Sequence, residues 1–264
     1  MAIGESNRAF PVAGTLSTGR LRGRTVVITR PVGDGAPLAR KVRAQGGLPL
    51  LLPGLALREV ADKAAARGEW RKACTGDVLI FTSPAAVRYA VALAPPRTSA
   101  LVLAVGQGTA RALRRHGFTD VRAPQRQDSE GLLALAELRE LDGRAVALVG
   151  APGGRGMLRT TLAERGAVLR EVHVYRRVPA RLDRRHLDAV RRLPASALLL
   201  LSSAESWHNL AAALPSDALH RLCAIAAVVS SERLAGIVAA AGFARIRQAA
   251  SAMADDLLAA ALRD

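Results

Sequence analysis

The chain contains three short sequence units twice, and the two copies are about 120 residues apart. Each unit joins an apolar run to a turn rich in small or hydroxyl residues and then to a helical stretch. The pairs are 25–31 (TVVITRP) with 145–151 (AVALVGA), 78–84 (VLIFTSP) with 198–204 (LLLLSSA), and 104–110 (AVGQGTA) with 227–232 (AVVSSE). Similar strand, turn and helix units also arise by chance in α/β proteins. Because three unlike units keep their order and near-constant spacing, duplication is the simpler interpretation.

Apolar strand-like runs alternate with helical stretches along the chain, which predicts an α/β fold with parallel sheets covered by helices on both faces. Extended stretches bounded by Pro53 and Pro179 interrupt this alternation, and we interpret them as connectors. Domain one is then discontinuous, and we expect the functional site in the cleft between the two domains. Strands are predicted at 25–30, 48–52, 78–81, 101–105, 145–149, 167–175, 197–201 and 225–229. The predicted divisions are a polar tail at 1–23, domain one at 24–55 and 180–264, domain two at 61–171, and connecting strands at 56–60 and 172–179.

Length and composition exclude several classes of protein. The chain of 264 residues is 50% hydrophobic, enough for two domains with separate cores. Its apolar runs are far shorter than the roughly 20 residues that span a membrane, and residues 1–23 do not resemble a signal peptide. Cys74 and Cys223 suggest neither a metal site nor a disulfide framework. We therefore expect a cytoplasmic protein without a membrane partner or a bound metal.

The net charge of +16 suggests an anionic partner, and nucleic acid is the first class to consider. However, the basic residues are spread along the helices, only 3% of the residues are aromatic, and no nucleic-acid-binding motif is present. Only three of the 38 basic residues are lysines, so coding bias also explains the arginine content. A small anionic substrate fits this charge at least as well, and we predict no nucleic-acid partner.

Eight short motifs stand in a fixed order along the chain: Thr29-Arg30-Pro31, 81–87 (FTSPAAV), Val105-Gly106 with Thr109-Ala110, 129–132 (SEGL), Gly150 with Arg155 and Leu158, Gly166-Ala167, 174–176 (VYR) and 230–235 (SSERLA). Each motif is weak alone, whereas the ordered set is specific. Over about residues 24–262 the set resembles the uroporphyrinogen-III synthase family. The resemblance implies two flavodoxin-like domains joined by a two-stranded β-ladder, a monomer, and no cofactor or metal.

The same resemblance implies a lyase that converts hydroxymethylbilane, a linear tetrapyrrole with eight carboxylates, into uroporphyrinogen III. Water is lost, and the last pyrrole ring is inverted through a spiro intermediate. In free solution the molecule closes to the wrong isomer. The enzyme's task is therefore largely orientation, which can contribute roughly 7 to 11 kcal/mol.

Turns that precede helices are the candidate carboxylate sites, because helix starts offer free N–H groups and partial positive charge. Each serine or threonine there could equally be a simple N-cap, and each arginine a solvated surface residue. The turn at Ser231 lacks the glycine and threonine of its counterpart, so its contacts are less certain. The predicted substrate-binding residues are Arg30, Thr82, Ser83, Ala85, Ala86, Gly106, Thr109, Ser129, Arg155, Ser202, Ser203 and Ser231.

Tyr175 is the predicted catalytic residue. It lies in the returning connector, where its hydroxyl could assist the leaving hydroxyl as a general acid, and the family's Val-Tyr placement favours this role. The alternative is an aromatic residue packed at a domain junction. His173 would point the same way, but no histidine is assigned a role. The competing class of function is a non-catalytic protein of the same fold that binds a tetrapyrrole or another anionic ligand without changing it.

Overall fold

A computed structural model describes residues 21–153 and 156–263 of the chain. The chain forms two compact units: unit 1 extends to Leu55 and resumes at Pro179, and unit 2 is Ala56–Val178. Arg155 and the predicted tail, apart from its last three residues, lie outside the described residues. In chain order the elements are β1 (Thr25–Ile28), α1 (Ala36–Ala44), β2 (Leu48–Leu51), β3 (Leu55–Glu59), α2 (Lys63–Ala73), β4 (Val78–Phe81), α3 (Pro84–Leu93), β5 (Leu101–Ala104), α4 (Gln107–Arg115), β6 (Val121–Arg122), α5 (Ser129–Leu133), a 3-10 helix (Ala136–Leu138), β7 (Ala145–Gly150), α6 (Gly156–Glu164), β8 (Val168–His173), β9 (Tyr175–Pro179), α7 (Arg184–Arg191), β10 (Leu198–Leu201), α8 (Ala204–Ala213), α9 (Ser216–Cys223), β11 (Ala226–Val229), α10 (Glu232–Ala240), β12 (Ile246–Gln248) and α11 (Ala254–Ala261).

Each unit contains a five-stranded parallel sheet, and the two sheets have the same strand arrangement. The order is β12-β11-β10-β1-β2 in unit 1 and β6-β5-β4-β7-β8 in unit 2. The repeat of about 120 residues pairs β1 with β7 and β10 with β4, and these strands occupy equivalent places in their sheets. The predicted α/β fold with parallel sheets is confirmed, and the sheets agree with the duplication inferred from the sequence.

The strand order reverses direction at one place in each sheet. In unit 2 the chain runs from β4 outward through β5 and β6, and it then crosses to β7 on the other side of β4. In unit 1 the corresponding neighbours are β1 and β10. Ligands of open α/β sheets bind outside the carboxyl ends of the strands at such a switch point. We therefore expect the candidate site among the residues that follow these four strands.

The central strands are apolar along their whole length because helices cover both sheet faces. β4 (VLIF) and β10 (LLLL) are completely buried. In unit 2, Trp70 packs edge-on against Phe81 at 5.8 Å between ring centroids. In unit 1, Trp207 packs in the same manner against Phe243 at 5.2 Å. Each unit thus has its own core, with one tryptophan in each.

The two connectors form an antiparallel ladder of β3 and β9, the ladder that the resemblance implied. The second connector begins later than expected, because Val172 and His173 belong to β8. The predicted strand at 167–175 therefore ends at His173, and Tyr175 is the first residue of β9. In the ladder, Arg176 Nε donates to the carbonyl of Glu59 at 3.1 Å.

Two edge strands were missed by the sequence prediction. β6 has two residues and β12 has three, and each pairs with one neighbour at the outer side of its sheet. Strands this short show no apolar period, so the sequence gives no local signal for them. Within the described ranges, no helix is long and apolar enough to cross a membrane.

Candidate functional site

The switch point of unit 2 lies at the carboxyl ends of β4 and β7. Thr82 and Ser83 follow β4, and Gly150 ends β7. The two strand ends approach so closely that a Cβ on Gly150 would lie 2.5 Å from Thr82 Oγ1. Thr82 Oγ1 also donates to the carbonyl of Val149 at 3.2 Å. A side chain at position 150 would therefore displace the Thr82 hydroxyl.

Helix α3 begins directly at this switch point. Ser83 is its N-cap, and Ser83 Oγ accepts a hydrogen bond from the Ala86 N–H at 3.1 Å. Pro84 has no N–H, so helix geometry leaves the Ala85 N–H without an intrahelical acceptor. The side chains of Ala85 and Ala86 are buried, so a ligand could meet only the backbone here.

Tyr175 lies beside the Ser83 cap and is only 6% exposed. Its Oη is 3.2 Å from Ser83 Oγ. Its ring stacks on Tyr89 with 5.2 Å between centroids and 18° between the ring planes. Packing on one side and a hydroxyl partner on the other fix the orientation of the phenol. The structure therefore brings the predicted catalytic residue into contact with a predicted substrate-binding residue.

A pocket of about 150 Å³ opens at these residues within unit 2. Three of the predicted site residues line it: Thr82, Ser83 and Tyr175. Its charged and titratable lining also includes Arg159, Glu171, His173 and Arg177, to which the sequence assigned no role. No motif singles out these four residues, because α6, β8 and β9 come together only in the fold. The other lining residues are Leu148, Gly150, Ala151 and Gly153.

Helix α4 begins at the second predicted turn of unit 2. Its N-cap, Gly106, has no side chain to cap the helix, and Gln127 Oε1 accepts from the Gln107 N–H at 3.1 Å instead. Thr109 is only 4% exposed, so its side chain faces the interior. The remaining N–H of the first turn that helix geometry leaves open is that of Gly108. Like Ala85 and Ala86, Gly106 and Thr109 do not line the pocket among the residues described.

Ser129 lies farther along the chain as the first residue of α5. The cap of this helix is Asp128, whose carboxylate accepts from the Gly131 N–H at 2.8 Å. Partial burial acts to raise the pKa of Asp128, but the hydrogen bonds from Gly131 and Arg126 outweigh it and lower that pKa. Ser129 is not among the described residues that line the pocket.

The switch point of unit 1 is formed by the ends of β1 and β10. Thr29 Oγ1 donates to the carbonyl of Leu200 at 2.9 Å across these two strands. Arg30 follows, and its Nη2 donates to the carbonyl of Ala252 at 2.7 Å. Arg30 Nε is buried and has no hydrogen-bond partner in the described part of the chain. Burial lowers the pKa of the Arg30 guanidinium, and the Asp34 carboxylate partly offsets this effect.

The predicted serines of unit 1 lie at two helix starts. Ser202 and Ser203 follow β10, and Ser203 Oγ accepts from the Ser206 N–H at 3.2 Å. Ser231 follows β11, and its Oγ accepts from the Leu234 N–H at 3.4 Å. Ser203 and Ser231 are therefore N-caps, which is the alternative to substrate binding that the sequence left open for these serines.

The arrangement defines a class of protein: a pair of doubly wound α/β units whose switch points are lined by hydroxyl groups, glycines and helix starts suited to oxyanions. The family model "Uroporphyrinogen-III synthase HemD" matches residues 36–259. A uroporphyrinogen-III synthase of Escherichia coli (strain K12) is 30% identical over 251 residues, covering 89% of this chain and 99% of that protein. A uroporphyrinogen-III synthase of Salmonella typhimurium is 31% identical over 254 residues, with the same coverage. The chain belongs to the uroporphyrinogen-III synthase family.

Two solved structures support the same fold. A uroporphyrinogen-III synthetase from Helicobacter pylori 26695 has a TM-score of 0.62 and 16% identity, with 90% of this chain and 98% of that chain covered. A mutant uroporphyrinogen III synthase from Thermus thermophilus has a TM-score of 0.57 and 22% identity, with 90% and 96% covered. At these identities the likeness concerns the fold.

Proposed function

We propose that this protein is a uroporphyrinogen-III synthase, a lyase that converts hydroxymethylbilane into uroporphyrinogen III with loss of water. The observation that carries the proposal is the contact between Tyr175 Oη and Ser83 Oγ at a sheet switch point, in a chain that belongs to this family. This contact supports the proposal because a tyrosine hydroxyl can donate a proton and a helix start can hold a carboxylate.

The reaction requires that a flexible substrate be held in one orientation. The hydroxymethyl group on the first ring leaves as water, and the substituted carbon of the last ring attacks the resulting cation. Because the competing closure at the unsubstituted carbon needs no enzyme, catalysis depends on which carbon faces the cation. Fixing that geometry can contribute roughly 7 to 11 kcal/mol.

Substrate carboxylates bind at the helix starts in this proposal. In unit 2 the Ala85 and Gly108 N–H groups supply donors, Thr82 and Ser83 supply hydroxyls, and Ser129 supplies a further hydroxyl. In unit 1, the Arg30 guanidinium supplies the positive charge for a carboxylate. The remaining proposed contacts are Ala86, Gly106, Thr109, Arg155, Ser202, Ser203 and Ser231.

Tyr175 acts as the general acid for the leaving hydroxyl. Its ring is fixed by Tyr89, and Ser83 lies at hydrogen-bonding distance from its hydroxyl. Tyr175→Phe keeps the stacked ring and removes the proton donor. We expect kcat to fall by about 100-fold with KM little changed. Equal kcat in the two proteins would assign Tyr175 to packing.

The test of the function is incubation of the purified chain with freshly prepared hydroxymethylbilane, followed by chromatographic separation of the oxidised porphyrin isomers. A synthase yields the type III isomer faster than spontaneous closure yields type I. If type I alone accumulates at the spontaneous rate, the chain is not a synthase. Binding of the linear tetrapyrrole with no change in product would then identify the non-catalytic alternative.

Four further properties belong to the same proposal. We place the protein in the cytoplasm, as a monomer, with no cofactor and no nucleic-acid partner. The two free cysteines are consistent with a reducing compartment. Light scattering tests the monomer, cell fractionation tests the location, and activity after exhaustive dialysis against chelator tests the cofactor. Retention on DNA that falls steeply with added salt would contradict the last statement, because nucleic-acid binding through a basic surface is strongly salt-dependent.

A further inference from the structure

A histidine, a glutamate and an arginine form a linked group in the pocket of unit 2. His173 Nε2 lies 3.4 Å from Glu171 Oε2. Arg159 Nη1 lies 3.2 Å from Glu171 Oε1 and 3.4 Å from Glu171 Oε2. Residues two apart on a strand face the same side, so β8 presents both Glu171 and His173 to α6, which carries Arg159. Arg159 thus orients the Glu171 carboxylate, and Glu171 in turn orients the His173 imidazole.

The group shares its pocket with Tyr175 and Ser83. Glu171 contacts Nε2 of the imidazole, which leaves Nδ1 as the ring nitrogen that can serve a ligand. A carboxylate in this position orients the ring and stabilises the imidazolium that forms when the ring accepts a proton. We infer that His173 is the general base of the reaction and that Glu171 and Arg159 are its positioning residues; this inference rests on the proposed function.

The reaction contains one step, the loss of a proton from a ring carbon, that requires a base. When the C–O bond breaks, Tyr175 donates one proton to the departing hydroxyl, so water leaves and the phenol becomes a phenolate. The last ring then bonds through its substituted carbon, that ring separates from its former neighbour, and the new bond closes at the previously unsubstituted carbon. That carbon still carries its hydrogen and must lose it as a proton to restore the aromatic pyrrole. His173 accepts this proton, and transfer to the phenolate returns both side chains to their starting states.

The surroundings of His173 determine which charges act on it. Glu171 lies on its own strand, Arg159 on α6, and Tyr175 and Arg177 on β9. On the opposite face of β8, Arg170 pairs with Glu69 of α2. Glu171 is therefore the acidic group of the pocket lining, and the cations beside it are Arg159 and Arg177. Arg177 Nη2 donates to the carbonyl of Pro152 at 2.9 Å.

The variant that tests the role of His173 is His173→Gln, which keeps a polar side chain and removes the base. We expect kcat for type III product to fall by about 100-fold, with KM within about twofold. A general base must be unprotonated to accept a proton. The wild-type kcat should therefore fall as the pH is lowered, and the variant should lose this dependence. His116→Gln, at the C-cap of α4, is the matched control and should behave as wild type.

Two further variants keep the test decisive. Added imidazole should restore the rate of His173→Ala at least tenfold, which a purely structural histidine would not allow. Glu171→Gln should lower kcat less than His173→Gln does. If the wild type makes type III product and His173→Gln matches it in kcat and pH profile, the inference is wrong and the synthase proposal stands. If the wild type makes no type III product, both fail.

Discussion

The two units share a fold and a strand order, but the helices that follow β4 and β5 in unit 2 differ in charge from those that follow β10 and β11 in unit 1. In unit 2, the first turns of α3 and α4 contain no acidic residue. In unit 1, the first turn of α8 contains Glu205 and that of α10 contains Glu232. A carboxylate side chain at a helix start neutralises the partial positive charge that would otherwise attract a substrate carboxylate. Duplication therefore supplied two similar scaffolds, and the starts of α3 and α4 in unit 2 are better suited to anions than those of α8 and α10 in unit 1.

The close approach at Gly150 in unit 2 differs in kind from that at Gly54 in unit 1, although unit 2 also has a glycine, Gly131, whose Cβ would lie 2.0 Å from a backbone carbonyl oxygen, that of Arg126. In unit 2 the closest neighbour of a Cβ on Gly150 would be a hydroxyl, Thr82 Oγ1. The equivalent position in the repeat of unit 1 is Arg30, which carries a long side chain. Unit 1 instead places Gly54 against the backbone of α8, where a Cβ would lie 2.1 Å from the carbonyl oxygen of Ser206. A hydroxyl can rotate away from a clash, whereas a helix backbone cannot.

The largest expected effect is therefore the loss of stability in Gly54→Ala. We expect a loss of roughly 3 kcal/mol, against about 1 kcal/mol for Gly150→Ala. Gly68→Ala in α2, where a Cβ would have no neighbour within 4 Å, is the control and should stabilise by about 0.5–1 kcal/mol. Urea unfolding measures all three, with Trp207 reporting on unit 1 and Trp70 on unit 2. Equal losses in Gly54→Ala and Gly150→Ala would contradict this difference between the two glycines.

The two serine caps sharpen the comparison in activity. Ser83→Ala and Ser203→Ala should each lose about 1 kcal/mol of stability, because each removes an N-cap. Only Ser83 also contacts Tyr175, so we expect a roughly tenfold lower kcat in Ser83→Ala and less than a threefold change in Ser203→Ala. Steady-state kinetics on type III product gives both values. A larger kcat loss in Ser203→Ala would place the chemistry in unit 1.

Removing an acidic residue from a helix start of unit 1 should make that start more favourable to anions. We expect Glu232→Gln to lower KM for the polycarboxylate substrate about threefold, since charge at a helix terminus is worth about 0.3–1 kcal/mol. Glu140→Gln, an exposed change outside the helix starts, controls for the gain of net positive charge. If both variants lower KM equally, general electrostatic attraction accounts for the effect and the local argument fails.

The smallest expected difference is in acid stability. In unit 2, hydrogen bonds from its own backbone and from Arg122 lower the pKa of Glu137 below 4.5. In unit 1, a hydrogen bond from Arg191 lowers the pKa of Asp217 below 3.8. A lowered carboxyl pKa stabilises the fold above the unfolded-state pKa, and this contribution is lost as the pH falls.

The contribution of Glu137 to unit 2 should therefore be lost at a higher pH than that of Asp217 to unit 1, because the ordinary pKa of a glutamate lies above that of an aspartate. Both losses should be modest because the ion pairs are partly exposed. Acid titration followed by the fluorescence of Trp70 and Trp207 in single-tryptophan variants tests this order. Glu137→Gln should shift the Trp70 transition alone. Transitions that coincide in the wild type and in this variant would contradict the assignment.

The apolar runs of the sequence correctly predicted the central strands, because buried parallel strands are apolar throughout. The caps at Ser83, Ser203 and Ser231 could also be expected, since a serine before a helix acts locally. The short edge strands β6 and β12 could not be found, because two or three residues carry no period. The lining residues Arg159, Glu171 and Arg177 were missed for another reason: they meet through strand pairing and helix packing, which leave no local motif. The same is true of Gln127, which caps α4 from 20 residues away.

The most direct test of the asymmetry is a titration of the ¹⁵N-labelled protein with uroporphyrin III, an octacarboxylate related to the product, followed by backbone amide NMR. The account predicts the largest shifts at the Ala85 and Gly108 amides of unit 2, with smaller shifts at Glu205 and Arg233 of unit 1. Larger shifts at the unit 1 amides would contradict it.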